Sequence, residues 1–249
     1  MERETGFFHQ IKVTLPGISA FSTNRTFYYL IKRTIDLVVS TIALIIFSPL
    51  ILVIAVLIHF DSPGPIIFTQ KRVGAKRIHK AEGCCWEMTE LPCHKFRTMF
   101  DKADSSVHHT FINALINHDE KTLSEIQGAE NKVKKIVNDP RVTRLGRFLR
   151  CSSLDELPQF WNVLKGEMSV VGPRPAIPYE VEMYKPWYFR RLEAKPGITG
   201  LWQVGERNSV DFDGMVKFDI EYVENQSTWL DLKIILMTPL VMLRHKWVA

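Results

Sequence analysis

From Leu37 to Ile58 the chain reads LVVSTIALIIFSPLILVIAVLI, without a single charged residue. A run of roughly 20 apolar residues can cross a hydrocarbon core as one helix. It starts too far from the N-terminus, and runs too long, for a signal peptide, and residues 1–27 before it contain no apolar stretch of their own. Ser48 and Pro49 sit at its midpoint. Proline removes one backbone donor and crowds the preceding turn, so a bend is expected there, with a nearby hydroxyl taking up the freed carbonyl. Both flanks are basic: Lys32 and Arg33 before, Lys71, Arg72, Lys76 and Arg77 after. Positive residues favour the cytoplasmic side. The pattern therefore predicts a helix that enters, bends at Ser48-Pro49 and leaves on the same side. A straight span and a buried core helix are the competing readings. Asp36, three residues after Arg33, can pair with it on one helix face.

Beyond the apolar run the periodicities are shorter. Asp61-Ser62-Pro63-Gly64-Pro65 is a helix-ending turn, and residues 66–70 read as a short strand. Residues 75–94 read as an irregular polar loop. Between 100 and 137, Val107, Phe111, Leu115, Leu123 and Ile126 recur at near-helical spacing, which predicts two exposed helices. Further helices are expected over about 141–150 and 156–165. Tyr184, Trp187, Tyr188 and Phe189 crowd one amphipathic segment, as a bilayer-interface belt or as a packed core face. Ile234 to Leu243 is apolar but interrupted by Pro239 and too short to span. It is expected to lie in the interface or to pack on the soluble body.

Composition narrows the possibilities modestly. The 249 residues carry a net charge of +5 and 46% hydrophobic residues, which suits an anionic ligand or an anionic membrane surface equally. No zinc-finger spacing and no RRM aromatic signature is present, so no nucleic-acid partner is predicted. Of four cysteines, Cys84 and Cys85 are adjacent, and with Cys93 and Cys151 they suggest free thiols in a reducing compartment. A zinc site from Cys84, Cys85, Cys93 and His94 lacks a CxxC pair. His108 and His109 are expected to face solvent.

The densest chemistry lies between 141 and 175. Arg141, Arg144, Arg147 and Arg150 recur every third residue and lead into adjacent Asp155 and Glu156. Gly172-Pro173-Arg174-Pro175 follows. Arginines cradle phosphate, and cationic neighbours keep a carboxylate ionised, able to attack phosphorus or to hold Mg²⁺. Locally, Ser153-Leu154-Asp155-Glu156 also fits a plain capping box, with Ser153 as N-cap and Glu156 three residues on. The arginines equally fit a solvated helix face.

These residues carry a resemblance. Lys32 to Asp36, the apolar run with Ser48-Pro49, Ile67 to Gly74, Lys95 to Met99, Asp139 to Pro175, Lys195 to Val204 and Trp229 to Lys233 occur in family order. Together they resemble the bacterial sugar transferases, the monotopic phosphoglycosyl transferases that start glycan assembly on a polyprenyl phosphate. The resemblance implies that Asp155 attacks the β-phosphate of a UDP-sugar, releases UMP and hands the sugar phosphate to polyprenyl phosphate. It implies Glu156 as partner in a catalytic dyad, and Mg²⁺ as cofactor with Asp155 as a metal ligand. Lys95, Arg72, Arg150, Arg174 and Arg207 would contact substrate. The run Gly205-Glu206-Arg207 departs from the usual family form, the loop from Ala75 to His94 is longer than usual, and residues 100–137 have no clear match.

The fold class expected is helix-rich α+β: a re-entrant membrane helix-break-helix, then a cytoplasmic catalytic domain with amphipathic interfacial helices and a small β element. The domains expected are an N-terminal arm (1–27), the membrane helix (28–62) and the catalytic domain (63–249), the minimal form of the family. The expected location is the cytoplasmic face of the bacterial inner membrane. Expected partners are a UDP-sugar donor, a polyprenyl phosphate acceptor, membrane lipids and downstream glycosyltransferases, with a homo-oligomer left open. The alternatives are a non-catalytic scaffold whose basic face binds anionic lipid, and a Mg²⁺-dependent phosphatase.

Overall fold

A computed structural model describes residues 25–80, 83–127, 139–205 and 210–244. The apolar run forms α1 (Thr26–Asp61), one helix of 36 residues that continues through Pro49. Proline at 49 has no N–H for the carbonyl of Ile45, and the Ser48 hydroxyl donates to that carbonyl at 2.8 Å. The middle of the helix, residues 45–49, is exposed. Both ends are packed. Near the start, Lys32 Nζ donates to the Val171 carbonyl (2.9 Å) and pairs with Asp231 (3.0 Å). Arg33 donates to the carbonyls of Val163 and Leu164, and Asp36 accepts from Ser169 Oγ and Val170 N. Asp36 thus pairs with a distant backbone rather than with Arg33. Near the far end, Ile54 and Ile58 are buried against Phe96, Leu149 and Leu157.

The loop expected over residues 75–94 is instead a long antiparallel hairpin. β1 (Ile67–Lys80) pairs with β2 (Gly83–Phe96) in a register running from Ile67↔Phe96 to Lys80↔Gly83. Its polar residues hid the strand signal because they face partners across the ladder, as Lys76 faces Glu87. Val73, Ala75 and Trp86 meanwhile enter a core with Phe111, Tyr188 and Val216.

The two helices expected after residue 100 are α2 (Ser106–Ile116) and α3 (Glu120–Gln127), although Phe111, Ile112 and Ile116 are buried rather than exposed. Residues 128–138 lie outside the described residues. α4 (Arg144–Ser152) and α5 (Gln159–Lys165) flank a 3-10 turn over Leu154–Glu156. Then come β3 (Ser169–Val171), α6 (Pro178–Val181), a 3-10 helix (Pro186–Leu192), β4 (Gly197–Thr199) and α7 (Leu201–Val204). β3 and β4 pair in parallel. The crowded aromatics belong to the core: Tyr184 and Tyr188 are buried, with Trp187 and Phe189 packed against them.

α8 (Phe212–Glu224) and α9 (Thr228–Arg244) close the body. Pro239 does not interrupt α9; the preceding Thr238 hydroxyl donates to the Ile234 carbonyl, one turn back. Ile234 is buried with Val163, Val171 and Tyr222, while Trp229, Leu232, Leu236, Leu240 and Leu243 form an exposed stripe at helical spacing. The stripe joins the exposed apolar face of α1, Phe148 on α4 and Trp161 on α5 in leaving a large apolar area uncovered among the described residues.

Candidate active site

The acidic pair rides on a kink between two short helices. Thr143 caps α4, its hydroxyl accepting from Gly146 N at 2.9 Å. Gly146 lets the helix lie directly on Thr98, since a Cβ there would sit 2.0 Å from the Thr98 carbonyl oxygen. α4 ends at Ser153, which adopts the left-handed conformation (φ 56°), uncommon for a residue with a side chain. The capping box read from the sequence is not formed: Ser153 makes no side-chain cap, and residues 154–156 form a 3-10 turn rather than the first turn of α5. Leu154 and Leu157 drop into the core built with Ile54 and Ile58 of α1. Asp155, on the same turn, is buried, and the apolar membrane helix forms part of its foundation.

Lys95, at the end of β2, reaches this turn. Its Nζ lies 2.7 Å from Glu156 Oε1 and 4.0 Å from Asp155 Oδ2. Phe96, the next residue, points oppositely into the core, as strand alternation requires. Arg72 and Arg174 line the same cleft as Lys95 and Glu156, with Cys93 and Gln159. The cleft is narrow and partly open to solvent. Burial and the neighbouring Arg174 charge hold the Arg72 pKa below the usual guanidinium value. Two cations pressed together in this way want an anion between them. Burial pushes the Cys93 thiol up, so it stays protonated.

The arginine ladder divides. Arg150 Nε donates to Thr98 Oγ1 at 2.8 Å, close enough to Asp155 for the two charges to interact. Arg141 precedes the helix and grips Asp139 with two side-chain bonds (2.8 and 2.6 Å). Arg144 and Arg147 face solvent. Arg207 lies outside the described residues. Ser48 and Pro49 are exposed at mid-helix, in the stretch of α1 away from this site.

The turn that carries Arg174 is held from behind at four successive carbonyls. Pro173 O accepts from Gly197 N (2.9 Å), Arg174 O from Arg191 (3.2 Å), Pro175 O from Arg72 (3.2 Å) and Ala176 O from Val73 N (2.8 Å). Sequence reasoning missed Arg191, Gln159 and Thr98. Nothing in a lone polar residue tells a packed partner from a solvated one. His108 and His109 do not face solvent as expected: His108 Nδ1 shares a hydrogen bond with the Tyr179 hydroxyl, and His109 stacks on the Tyr179 ring at 3.6 Å. Burial, then the charges of Arg72, Arg141 and Arg174, press His108 down to about 4.

Asp155 and Glu156 are the acidic groups beside Lys95, whereas Arg72 feels the charge of Glu180. Among the described residues there is no cluster of three or more His, Cys, Asp or Glu able to enclose a metal, and the four cysteines are free. Two carboxylates beside a cationic cleft are a donor set that fits Mg²⁺, which is usually held by one or two carboxylates with phosphates and water completing its shell.

A family model described as "Bacterial sugar transferase" matches residues 27–245. The chain is 40% identical to the exopolysaccharide production protein ExoY of Rhizobium meliloti, over 83% of each chain. It is 43% identical to the undecaprenyl-phosphate galactose phosphotransferase of Salmonella typhimurium, over 86% of this chain and 41% of that protein. It is 38% identical to the UDP-glucose:undecaprenyl-phosphate glucose-1-phosphate transferase of Klebsiella pneumoniae, over 83% of this chain and 39% of that one. The chain thus spans most of the first relative and under half of the other two.

Proposed function

The chain belongs to the bacterial sugar transferases, and from that premise we propose that it transfers a sugar 1-phosphate from a UDP-sugar to a membrane polyprenyl phosphate. The observation that carries this reading is a buried aspartate on an apolar-backed turn, next to Glu156 and Lys95, which line a cleft together with Arg72 and Arg174. The relatives named for this chemistry act with UDP-glucose or on undecaprenyl phosphate.

In the first step an Asp155 carboxylate oxygen attacks the β-phosphorus. The bond from that phosphorus to the bridging oxygen breaks, and the electron pair leaves with UMP. In the second step a phosphate oxygen of the polyprenyl carrier attacks the same phosphorus and the aspartate departs. The product is polyprenyl diphosphate-sugar, and no net proton is needed. Arg72 and Arg174 hold the diphosphate, and Lys95 orients the acidic pair. Asp155 and Glu156 are the residues that would hold Mg²⁺, which when bound supplies charge neutralisation at the diphosphate. The reaction would open assembly of a surface glycan.

The membrane arrangement follows from α1. Thirty-six residues would extend about 54 Å if straight, well beyond a hydrocarbon core of about 30 Å. Yet one face near each end packs on the same body, while the middle, residues 45–49, is uncovered. A helix dipping into one leaflet and returning at Ser48-Pro49 accommodates both facts, with the active site at the cytoplasmic face of the inner membrane.

Purified protein incubated with a panel of UDP-sugars and polyprenyl phosphate should release UMP and form a lipid-linked sugar diphosphate. Asp155→Ala should abolish both, and mass spectrometry of the wild type quenched without acceptor should find a glycosyl-phosphoryl group on Asp155. Full turnover by Asp155→Ala, or glycan assembly restored in cells by Asp155→Asn, would sink the assignment and favour a scaffold.

A further inference from the structure

We propose that Arg191 is a positioning residue for the donor: it clamps the Gly172–Pro175 turn from behind so that the Arg174 side chain is fixed toward the diphosphate. The proposal rests on the reading of Arg174 as a donor-phosphate ligand given above.

Arg191 is 1% exposed, one of the largest fully buried side chains described. A buried guanidinium needs partners for its donors; both terminal nitrogens of Arg191 have them, while its Nε does not. Its NH2 group faces Asp219 Oδ2 at 2.6 Å and donates to the Arg174 carbonyl at 3.2 Å. Its NH1 group donates to Glu180 Oε1 (3.2 Å) and to the Tyr184 hydroxyl (2.7 Å), and that hydroxyl donates onward to Glu180 (2.6 Å). The partners come from α6, the residues just after it and α8, while Arg191 itself sits on the 3-10 helix between them. Four segments therefore converge on one fork, and that fork touches the main chain of a cleft residue.

A generic core ion pair has no need of that last contact. Pro173 and Pro175 have no N–H, so the turn can be held to the body mainly through its carbonyls. Gly197, Arg191, Arg72 and Val73 take those carbonyls in order. Three of the four donors come from strand residues or from an arginine that lines the cleft. Beside the backbone bond from Val73, Arg191 adds a side-chain link from Arg174 O to Tyr184 of the aromatic core. Fixing Arg174 before the donor arrives lowers the cost of ordering it on binding.

The test is a double-mutant cycle on the full-length protein, read as UDP-sugar KM, kcat and amide hydrogen exchange. Arg191→Lys keeps the charge and loses the fork. It should raise the donor KM about tenfold, leave the carrier KM unchanged, and speed exchange at Gly172, Arg174 and Ala176. In an Arg174→Ala background the same substitution should change the donor KM less than about twofold. Equal losses in both backgrounds, or unchanged exchange at the three amides, would overturn the proposal. If Arg191→Lys does not fold, Tyr184→Phe removes one hydroxyl from the fork at constant volume and should shift donor KM and exchange in the same direction; no shift in either overturns the proposal. An unchanged donor KM in Arg174→Ala itself sinks the underlying reading of Arg174. The exchange data then still decide separately whether Arg191 holds the turn.

Discussion

Asp155, Glu156 and Arg174 stood out by residue type and spacing, whereas Lys95 and Arg72 came with the family resemblance; the structure brings Arg72, Lys95, Glu156 and Arg174 to one cleft with Asp155 beside Lys95. What the sequence left hidden is the packing that selects among similar residues. Arg150 and Arg141 reach charged or hydroxyl partners while Arg144 and Arg147, at the same spacing, face solvent. No periodicity distinguishes them. Lys95→Ala removes the cation 2.7 Å from Glu156 and should lower kcat about 10²-fold with little change in thermal midpoint. A steady-state assay with a circular dichroism melt checks both. His108, lowered to about 4 mainly by burial, makes a pH prediction. Between pH about 6.5 and 4 the unfolded chain binds a proton that the folded chain refuses, so stability is retained above that window and lost as pH falls through it. His108→Gln should flatten that part of a urea-midpoint series, whereas an unaltered acid limb would show that another group titrates.

Among the elements, α1, α2, α3 and the helices around the acidic pair were readable from apolar spacing. The hairpin was not, because its outward polar residues satisfy one another across the ladder and mimic a loop. In both proline-bearing helices the hydroxyl just before the proline bonds back to a helix carbonyl, although only in α1 is it the carbonyl that the proline leaves without a donor. Ser48 donates to the carbonyl orphaned by Pro49, and Thr238, just before Pro239, donates to the carbonyl of Ile234. A hydroxyl immediately before proline is thus a signal that the helix continues, which the reading of Pro239 as an interruption overlooked. The cap on α4 is equally local. Thr143→Ala should cost about 1 kcal/mol, seen as a thermal midpoint about 2–4 °C lower. Turnover should fall further than stability alone accounts for, since the same helix ends at the catalytic turn.

For the molecule as a whole, composition alone said little, and the long apolar run said most. It was long and apolar enough to cross a membrane, but nothing in it told that its far half would underlie the acidic turn, for no sequence pattern pairs Ile58 with Leu157. Single cysteines introduced near residues 28 and 64 should both resist a membrane-impermeant reagent added outside intact cells. Labelling of one alone would mean a full crossing. Lys32→Met, by stranding the buried Asp231 carboxylate, should cost about 3–5 kcal/mol and reduce the folded yield in detergent. That pairing also sets an order of events at the ribosome. The first helix is synthesised early, but the acid that neutralises its lysine arrives 199 residues later. Until α9 emerges, a nascent chain therefore has only Asp36, one turn along α1, as acidic neighbour for that lysine. Chains cut short before α9 should seat poorly in the bilayer and be cleared by proteolysis, so the anchor is secure only once Asp231 has been made.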